Sequence, residues 1–307
     1  MTRIGTSDLD VAGLNLGGNV FGWSADKVSS FEILDAFVAD GGNFIDTADS
    51  YSAWVPGNSG GDSELIIGSW MAERGNRDHV VVATKVSQLP ARKGLAPDNV
   101  RAAVDDSLQR LRTDRIDLYY AHYDDADVPV AEIAGVFSEL VDAGKIRYPA
   151  ISNFSAERID GWFAAVEADG LHAPVALQPH YNLVERGFET NGLRAAAERY
   201  QLGVLPYYAL AAGFLTGKYR PGAIVDSPRA QGAARYLDSH LGTLAALDEI
   251  GATHGVSPTT VALAWLREQP TVVAPIASAS RTEQLPDLIA SLSLTLSPAE
   301  LTTLSEA

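Results

Sequence analysis

Val80-Val-Val-Ala-Thr-Lys85 and Ile116-Asp-Leu-Tyr-Tyr-Ala-His122 are two short apolar runs, and each ends on a polar side chain. Their first residues lie 36 positions apart, and the stretch 98–111 between them has helical periodicity, with Pro97-Asp98 as its start signal. Continuous apolar runs are typical of buried parallel strands, and a strand–helix–strand unit takes about 30 residues. This stretch therefore predicts one βαβ unit of a parallel sheet.

The same alternation continues through the rest of the chain. Similar runs start near Leu14, Phe44, Val80, Ile116, Tyr148, Val175, Val204 and Val272. Helical patterns occupy 27–40, 63–74, 98–111, 129–143, 155–168, 188–200, 241–254 and 281–292. Eight strands that alternate with eight helices predict an α/β fold, a single (β/α)8 TIM barrel. A doubly wound open sheet is the competing architecture, but such sheets usually stop at about six strands.

Two segments fall outside the eightfold repeat. The interval between the strands at Val204 and Val272 holds a Gly/Pro/Ala-rich stretch at 209–235 and an extra helical pattern at 257–268. We expect a long loop after strand seven, and long loops in compact domains are usually functional. Before the first strand, Arg3–Ile4 and Leu9–Val11 predict a small hairpin that plugs the bottom of the barrel. No linker composition divides the chain, so residues 1–307 are expected to form one domain.

The composition of the chain excludes several kinds of site and partner. The 307 residues include no cysteine, which excludes disulfides, thiolate nucleophiles and cysteine-held metal centres. With 23 Lys and Arg against 39 Asp and Glu, the net charge of −16 argues against nucleic acid or an anionic membrane as a partner. The first ten residues have no apolar signal-peptide core, and we expect a cytoplasmic protein.

Common catalytic and binding motifs are missing. No G-x-G-x-x-G follows the first strand, so a Rossmann dinucleotide site has no support. There is no H-E-x-x-H and no G-x-S-x-G, and the six histidines are scattered, so no metal site is expected.

Four polar residues follow neighbouring strands of the predicted barrel. Asp46 ends strand two, Tyr51 follows it in the loop, Lys85 ends strand three and His122 ends strand four. Each has an ordinary structural interpretation, such as a cap, a half-buried aromatic or a core histidine. The carboxyl ends of barrel strands form the catalytic mouth, so a chance meeting of all four there is improbable.

These four side chains suit proton donation to an oxygen. A tyrosine with a pKa near 10 is a poor acid at neutral pH, and a nearby ammonium lowers the pKa by stabilising the phenolate. We therefore expect Lys85 to lower the pKa of Tyr51, Asp46 to hold Lys85, and His122 to orient a carbonyl oxygen. The set has no nucleophile or metal, so the electrons that place negative charge on this oxygen must come from a cofactor.

At this point the sequence resembles an aldo-keto reductase. The matching segments keep the family's order over nearly the whole chain: 42–51, Ser63-Glu64, Ile67-Gly68, Ala83-Thr84-Lys85, 115–118, His122, 144–147, Ser152-Asn153-Phe154, 178–183, Tyr207, 213–219 and Glu283-Gln284-Leu285. The resemblance implies a barrel that reduces aldehydes and ketones with NADPH and without a metal. It also implies Tyr51 as proton donor, with Asp46, Lys85 and His122 completing a catalytic tetrad.

The resemblance further implies how NADPH would bind. Ser152, Asn153 and Gln178 would contact the nicotinamide carboxamide, and Tyr207 would stack on its ring. The pyrophosphate would be held by Leu210, Ala212, Gly213 and Lys218, and the 2′-phosphate by Ser278, Ser280, Arg281 and Gln284. The chain departs from the family at Tyr208-Ala209, at Ser278 and at Leu288, where many members place an adenine-binding asparagine.

The sequence says less about the substrate and the partners than about the catalytic residues. Phe21, Trp23, Trp54 and Tyr123 lie in predicted mouth loops and are expected to form an aromatic wall for a small aldehyde or ketone. A monomer is the default for this barrel. Two other functions stay open: an NADP-binding subunit with little turnover, like relatives that associate with channels, and a lyase or isomerase that uses Lys85 as a Schiff base.

Overall fold

The computed structural model describes all 307 residues, Met1–Ala307. The strands, in chain order, are β1 (Thr2–Arg3), β2 (Asp10–Val11), β3 (Asn15–Gly17), β4 (Phe44–Asp46), β5 (Val81–Val86), β6 (Gln88–Leu89), β7 (Arg92–Lys93), β8 (Ile116–Ala121), β9 (Ile146–Ser152), β10 (Ala176–Gln178), β11 (Gly203–Val204) and β12 (Ile276–Ala277). Eight of them are parallel and form one sheet in the order β11-β10-β9-β8-β5-β4-β3-β12.

Helices separate the strands of the parallel sheet. They are α1 (Lys27–Ala39), α2 (Asp62–Arg74), α3 (Pro97–Leu111), α4 (Val130–Asp142), α5 (Ala156–Asp169), α6 (Leu193–Arg199), α7 (Ala230–Ala234), α8 (Leu241–His254), α9 (Pro258–Arg267), α10 (Leu285–Ala290) and α11 (Pro298–Glu306). Several begin at a side-chain cap, as at Ser155 and Ser257, whose hydroxyls accept the backbone N–H of Arg158 and Thr260. No helix is both long and apolar enough to span a bilayer.

The sheet curls until its two ends meet. Val204 pairs with Val272, and Ile276 N–H donates to the Pro206 carbonyl at 2.9 Å. The eight parallel strands and these closing hydrogen bonds are consistent with the expected (β/α)8 barrel.

The strand expected to start at Val272 is shorter than predicted, because β12 covers only Ile276–Ala277. Pro275 interrupts the apolar run and has no N–H to donate to a ladder, which limits the regular pairing that precedes β12.

The two N-terminal strands form the expected hairpin. β1 pairs antiparallel with β2, and Ile4, Leu9 and Val11 are buried in one apolar cluster with Phe44 and Leu118 of the sheet. The hairpin is therefore packed against the sheet, and its role as a plug of the barrel stays a prediction.

Most predicted helices are confirmed within a few residues, and the differences are local. The pattern at 188–200 becomes a 3₁₀ turn at Gly187–Glu189 and the seven-residue α6. The pattern at 281–292 becomes a 3₁₀ turn at Thr282–Gln284 and the six-residue α10.

The loop after strand seven contains a 3₁₀ segment, Ala211–Thr216, and the short α7. The extra helix expected at 257–268 is α9. Sequence patterns did not indicate α7, α11 or the small β6–β7 hairpin.

Candidate active site

A large cleft opens at the carboxyl ends of the parallel strands. It encloses about 680 Å³, within the range of small-molecule sites. Asp46 ends β4, and Ser152 and Gln178 end β9 and β10, so three strand ends supply its floor. The loop after strand seven and the segment after β12 form the opposite wall.

Lys85, Asp46 and Tyr51 form a hydrogen-bonded group at the floor of this cleft. The Lys85 ammonium donates to Asp46 Oδ1, to the Thr47 carbonyl at 2.7 Å and to the Tyr51 hydroxyl at 3.0 Å. The Tyr51 hydroxyl lies 3.4 Å from Asp46 Oδ1. Lys85 is completely buried, whereas Tyr51 lines the cleft. The ammonium therefore contacts the phenol hydroxyl from the protein interior and not from the cleft.

Burial reverses the expected direction of the Tyr51 pKa. Desolvation raises the pKa of Tyr51 well above its ordinary value, and the Asp46 carboxylate raises it further. The pKa of Tyr51 is therefore not lowered as expected, because burial and, after it, Asp46 shift it upward. Burial also lowers the pKa of Lys85, against the opposing effect of Asp46. Tyr51 accordingly carries its proton at neutral pH.

His122 lies beside Tyr51, with ring centroids 6.2 Å apart. Burial lowers the pKa of His122 well below its ordinary value, and the nearby Lys85 charge acts in the same direction. The imidazole is thus neutral at neutral pH. Its Nδ1 is buried without a hydrogen-bond partner, so no hydrogen bond at this atom ties the ring to the surrounding structure.

Residues expected at a nicotinamide form their own network. Asn153 donates to the His122 carbonyl at 2.8 Å and accepts from the Tyr207 hydroxyl at 2.8 Å. Ser152 donates to the Gln178 carbonyl at 2.9 Å. Gln178 Nε2 donates to Asp46 Oδ2 at 2.9 Å, which leaves Oε1 as that side chain's free acceptor. Sequence reasoning did not foresee this link between Gln178 and Asp46.

The other end of the cleft contains hydroxyl groups and cations. Leu210, Ala212, Gly213 and Lys218 line it, as do Ser278, Ser280, Arg281 and Gln284. Gly213 has φ +91°, a conformation that favours glycine in a tight backbone turn. Backbone amides with a lysine suit a diphosphate, and an arginine with two hydroxyls suits a phosphate monoester. The residues present therefore fit a dinucleotide phosphate.

The helical pattern at 281–292 predicts that a helix begins at Arg281, but the structure differs there. Arg281 precedes a 3₁₀ turn, and α10 begins only at Leu285. Gln284 Oε1 accepts from the Ser280 N–H at 2.7 Å, so this side chain orders the segment's own backbone. Leu288 is buried in the apolar core and does not reach the cleft.

Aromatic side chains form the cleft's outer wall. Trp23 and Trp54 make an edge contact at 5.6 Å, Trp54 contacts the Tyr51 ring at 6.3 Å, and Tyr123 also lines the cleft. Placing Phe21 in this wall is wrong. Its backbone closes a 3₁₀ turn on Gly18, and its side chain is fully buried in the core.

Sequence reasoning also missed several lining residues. Asn19, Ser24, Tyr208 and 226–229 contribute to the wall although no motif marks them. The aromatic residue in Tyr208-Ala209 was the one available signal, since it stands in the stretch that departs from the family. No three His, Cys, Asp or Glu side chains are grouped so that they could hold a metal.

Comparison with known proteins agrees with this architecture. The family model described as "Aldo/keto reductase family" matches residues 13–307. "Protein tas" of Escherichia coli is 34% identical over 96% of this chain and 93% of that protein. "Uncharacterized oxidoreductase YrpG" of Bacillus subtilis is 34% identical over 96% and 91%, and "Aldo-keto reductase YhdN" of the same species is 35% identical over 88% and 80%. The strand-end residues, the cleft and these matches together place the chain in the aldo/keto reductase family.

Proposed function

We propose that this protein reduces a small aldehyde or ketone to an alcohol by hydride transfer from NADPH, with Tyr51 as the proton donor. Membership of the aldo/keto reductase family supports an oxidoreductase role. The observation that carries the proposal is the Tyr51 hydroxyl, which lines the cleft while Lys85 and Asp46 hold it from the buried side.

Each side chain of the tetrad has a separate task. Tyr51 keeps its proton until negative charge develops on the substrate oxygen, and the adjacent Lys85 ammonium then stabilises the phenolate that remains. Asp46 fixes the position of the ammonium. Neutral His122 can donate one hydrogen bond to the same oxygen without bringing a competing charge.

Cofactor recognition follows from the polar groups of the cleft. Ser152, Asn153 and Gln178 would hold the nicotinamide amide, with Tyr207 against the ring. Leu210, Ala212, Gly213 and Lys218 would hold the diphosphate, and Ser278, Ser280, Arg281 and Gln284 the 2′-phosphate. When bound, NADPH supplies the hydride. Tyr207 is held for this contact by its hydrogen bond to Asn153 and by stacking on His180, with ring centroids 5.2 Å apart.

The competing functions have less support. A Schiff-base lyase needs an amine with a free lone pair, and all three Lys85 N–H donors are occupied. A binding subunit without turnover would not need a proton donor, yet Tyr51 faces the cleft beside a neutral His122.

Loss of NADPH absorbance in the presence of an aldehyde panel separates the three functions. Oxidation of NADPH that depends on the carbonyl compound is the expected result. Tight NADPH binding without turnover would instead support the binding subunit. Borohydride trapping of a substrate on Lys85, without NADPH binding, would support the lyase.

A further inference from the structure

Tyr120 is a completely buried tyrosine beside the catalytic group, and the tasks assigned above do not use it. It pairs with Lys85 across the ladder between β5 and β8, so both side chains lie on the same face of the sheet. The Lys85 ammonium lies 5.7 Å from the centre of the Tyr120 ring. The Tyr120 hydroxyl has no hydrogen-bond partner of good geometry. Burying an unpartnered hydroxyl costs free energy that a phenylalanine in this place would avoid.

Two alanines give the Tyr120 ring its room. Tyr120 is level with Ala150 of β9, and Ala150 is level with Ala176 of β10. All three are buried in the same apolar cluster. Gln178 lies two positions beyond Ala176 on β10, so its side chain is on the same face. The sheet therefore places Tyr120 and Gln178 on one face with only small side chains between them.

The pKa of Tyr120 shows which polar groups act on its hydroxyl. Burial raises this pKa well above its ordinary value, Asp46 raises it further, and the Gln178 side chain acts in the opposite direction. A neutral group that lowers the pKa of a phenol does so by donating toward its oxygen. The amide of Gln178 is therefore the polar neighbour of the Tyr120 hydroxyl.

The orientation of the Gln178 amide matters for the whole site. Its Nε2 donates to Asp46 Oδ2 at 2.9 Å, which uses one of the two N–H groups of this nitrogen. Turning the amide over would set Oε1 against the carboxylate and remove the free acceptor from the cleft. A second acceptor for Nε2 would hold the amide in the orientation that the structure has, and the Tyr120 hydroxyl is such an acceptor.

We propose that Tyr120 is a positioning residue whose hydroxyl accepts the second Nε2–H of Gln178, so that Oε1 of Gln178 stays in the cleft as the acceptor for the carboxamide N–H of a nicotinamide. This proposal rests on the NADPH-dependent function proposed above. Tyr120 does not touch substrate or cofactor in this assignment, and its effect passes through Gln178.

Two neighbouring tyrosines of β8 provide matched variants. Tyr119 is as buried as Tyr120, and its hydroxyl also lacks a partner. The Tyr119 ring packs against Phe137, with centroids 5.4 Å apart, on the opposite face of the sheet from Gln178. Tyr120→Phe and Tyr119→Phe remove the same atom from the same strand, and only the first removes it beside Gln178. Both keep the ring and its packing, so both variants are expected to fold, which urea unfolding checks.

Two nucleotides that differ at one group measure the contact. In the 3-acetylpyridine analogue of NADP⁺, a methyl group replaces the carboxamide NH2, so the analogue offers no N–H to Gln178. Calorimetric titration of wild type, Tyr120→Phe and Tyr119→Phe with each nucleotide gives a Kd without any turnover.

Wild type is expected to bind NADP⁺ more tightly than the analogue. Tyr120→Phe should weaken NADP⁺ about 3- to 10-fold, the range of one neutral hydrogen bond, and leave the analogue nearly unchanged. The preference for NADP⁺ should therefore narrow in Tyr120→Phe and stay at its wild-type value in Tyr119→Phe.

Several outcomes would overturn the assignment. An unchanged preference in Tyr120→Phe, or the same narrowing in Tyr119→Phe, would show that the Tyr120 hydroxyl does not position Gln178. Equal affinity of wild type for both nucleotides would show that Gln178 does not recognise the carboxamide, whether or not the protein reduces aldehydes. If wild type binds NADP⁺ but turns over no aldehyde, the proposed function fails, and the Kd values still decide the role of Tyr120.

Discussion

Arg281 is the residue on which a preference for NADPH over NADH should depend. The two cofactors differ only in the 2′-phosphate, and Arg281 lines the cleft near Ser278 and Ser280. Because Arg281 is exposed and α10 starts only at Leu285, we expect a modest effect. Arg281→Ala should weaken NADPH about 5- to 30-fold and leave NADH almost unchanged. Fluorescence titration of both cofactors measures this, and equal losses for the two would contradict it.

Asp49 should make stability depend on pH near neutrality. Its carboxylate is buried, neither oxygen has a hydrogen-bond partner, and burial raises its pKa to about 7, with Glu64 acting in the same direction. Between the ordinary pKa of an aspartate and about 7, the folded state binds this proton more tightly than the unfolded state. The contribution of Asp49 to the free energy of unfolding therefore falls as pH rises through that window.

Asp49→Asn removes this titration. The stability of the variant relative to wild type should be greater at pH ~8 than at pH ~4, by roughly 2–4 kcal/mol. Urea unfolding at several pH values provides the measurement. Parallel pH profiles for the two proteins would show that Asp49 does not titrate in this range.

At the scale of elements, sequence predicts best where one physical signal dominates. The apolar runs ending at Lys85 and His122 correspond to β5 and β8, because long buried strands leave a continuous apolar pattern. β12 is shorter than its run, because Pro275 cannot donate to the ladder. α10 is shorter than its pattern because a 3₁₀ turn occupies the residues before Leu285, a difference that periodicity does not encode.

The N-terminal hairpin offers a test of its packing against the sheet. Gly5 has φ +50°, and a Cβ added there would lie 2.2 Å from the Val175 carbonyl oxygen. Gly5→Ala should lower the free energy of unfolding by about 2–4 kcal/mol, from backbone strain and overlap together. Gly75 has φ +62° with open space around it, so Gly75→Ala should cost only about 1 kcal/mol. Equal losses in chemical denaturation would show that the hairpin moves away from the sheet at no cost.

At the scale of the whole molecule, strand order explains which parts of the site could be predicted. The parallel sheet brings the ends of β4, β5 and β8 side by side, so Asp46, Lys85 and His122 could be grouped from sequence. Arg229 could not, because its place in the cleft depends on how a long loop folds back onto Asn19 and Trp23. The pKa of Tyr51 could not be predicted either, because it depends on how deeply the phenol is buried and on how close Asp46 lies to it.

The central claim is that Tyr51 donates a proton only as the alkoxide forms. Tyr51→Phe removes the hydroxyl and keeps the ring, which should preserve NADPH binding and the contact with Trp54. Loss of an interaction made only in the transition state lowers kcat and leaves cofactor affinity intact. Single-turnover reduction of an aldehyde by the NADPH-loaded protein, with NADPH affinity measured by fluorescence, should give a rate at least about 100-fold below wild type and an unchanged Kd. A rate within a few-fold of wild type would contradict the account.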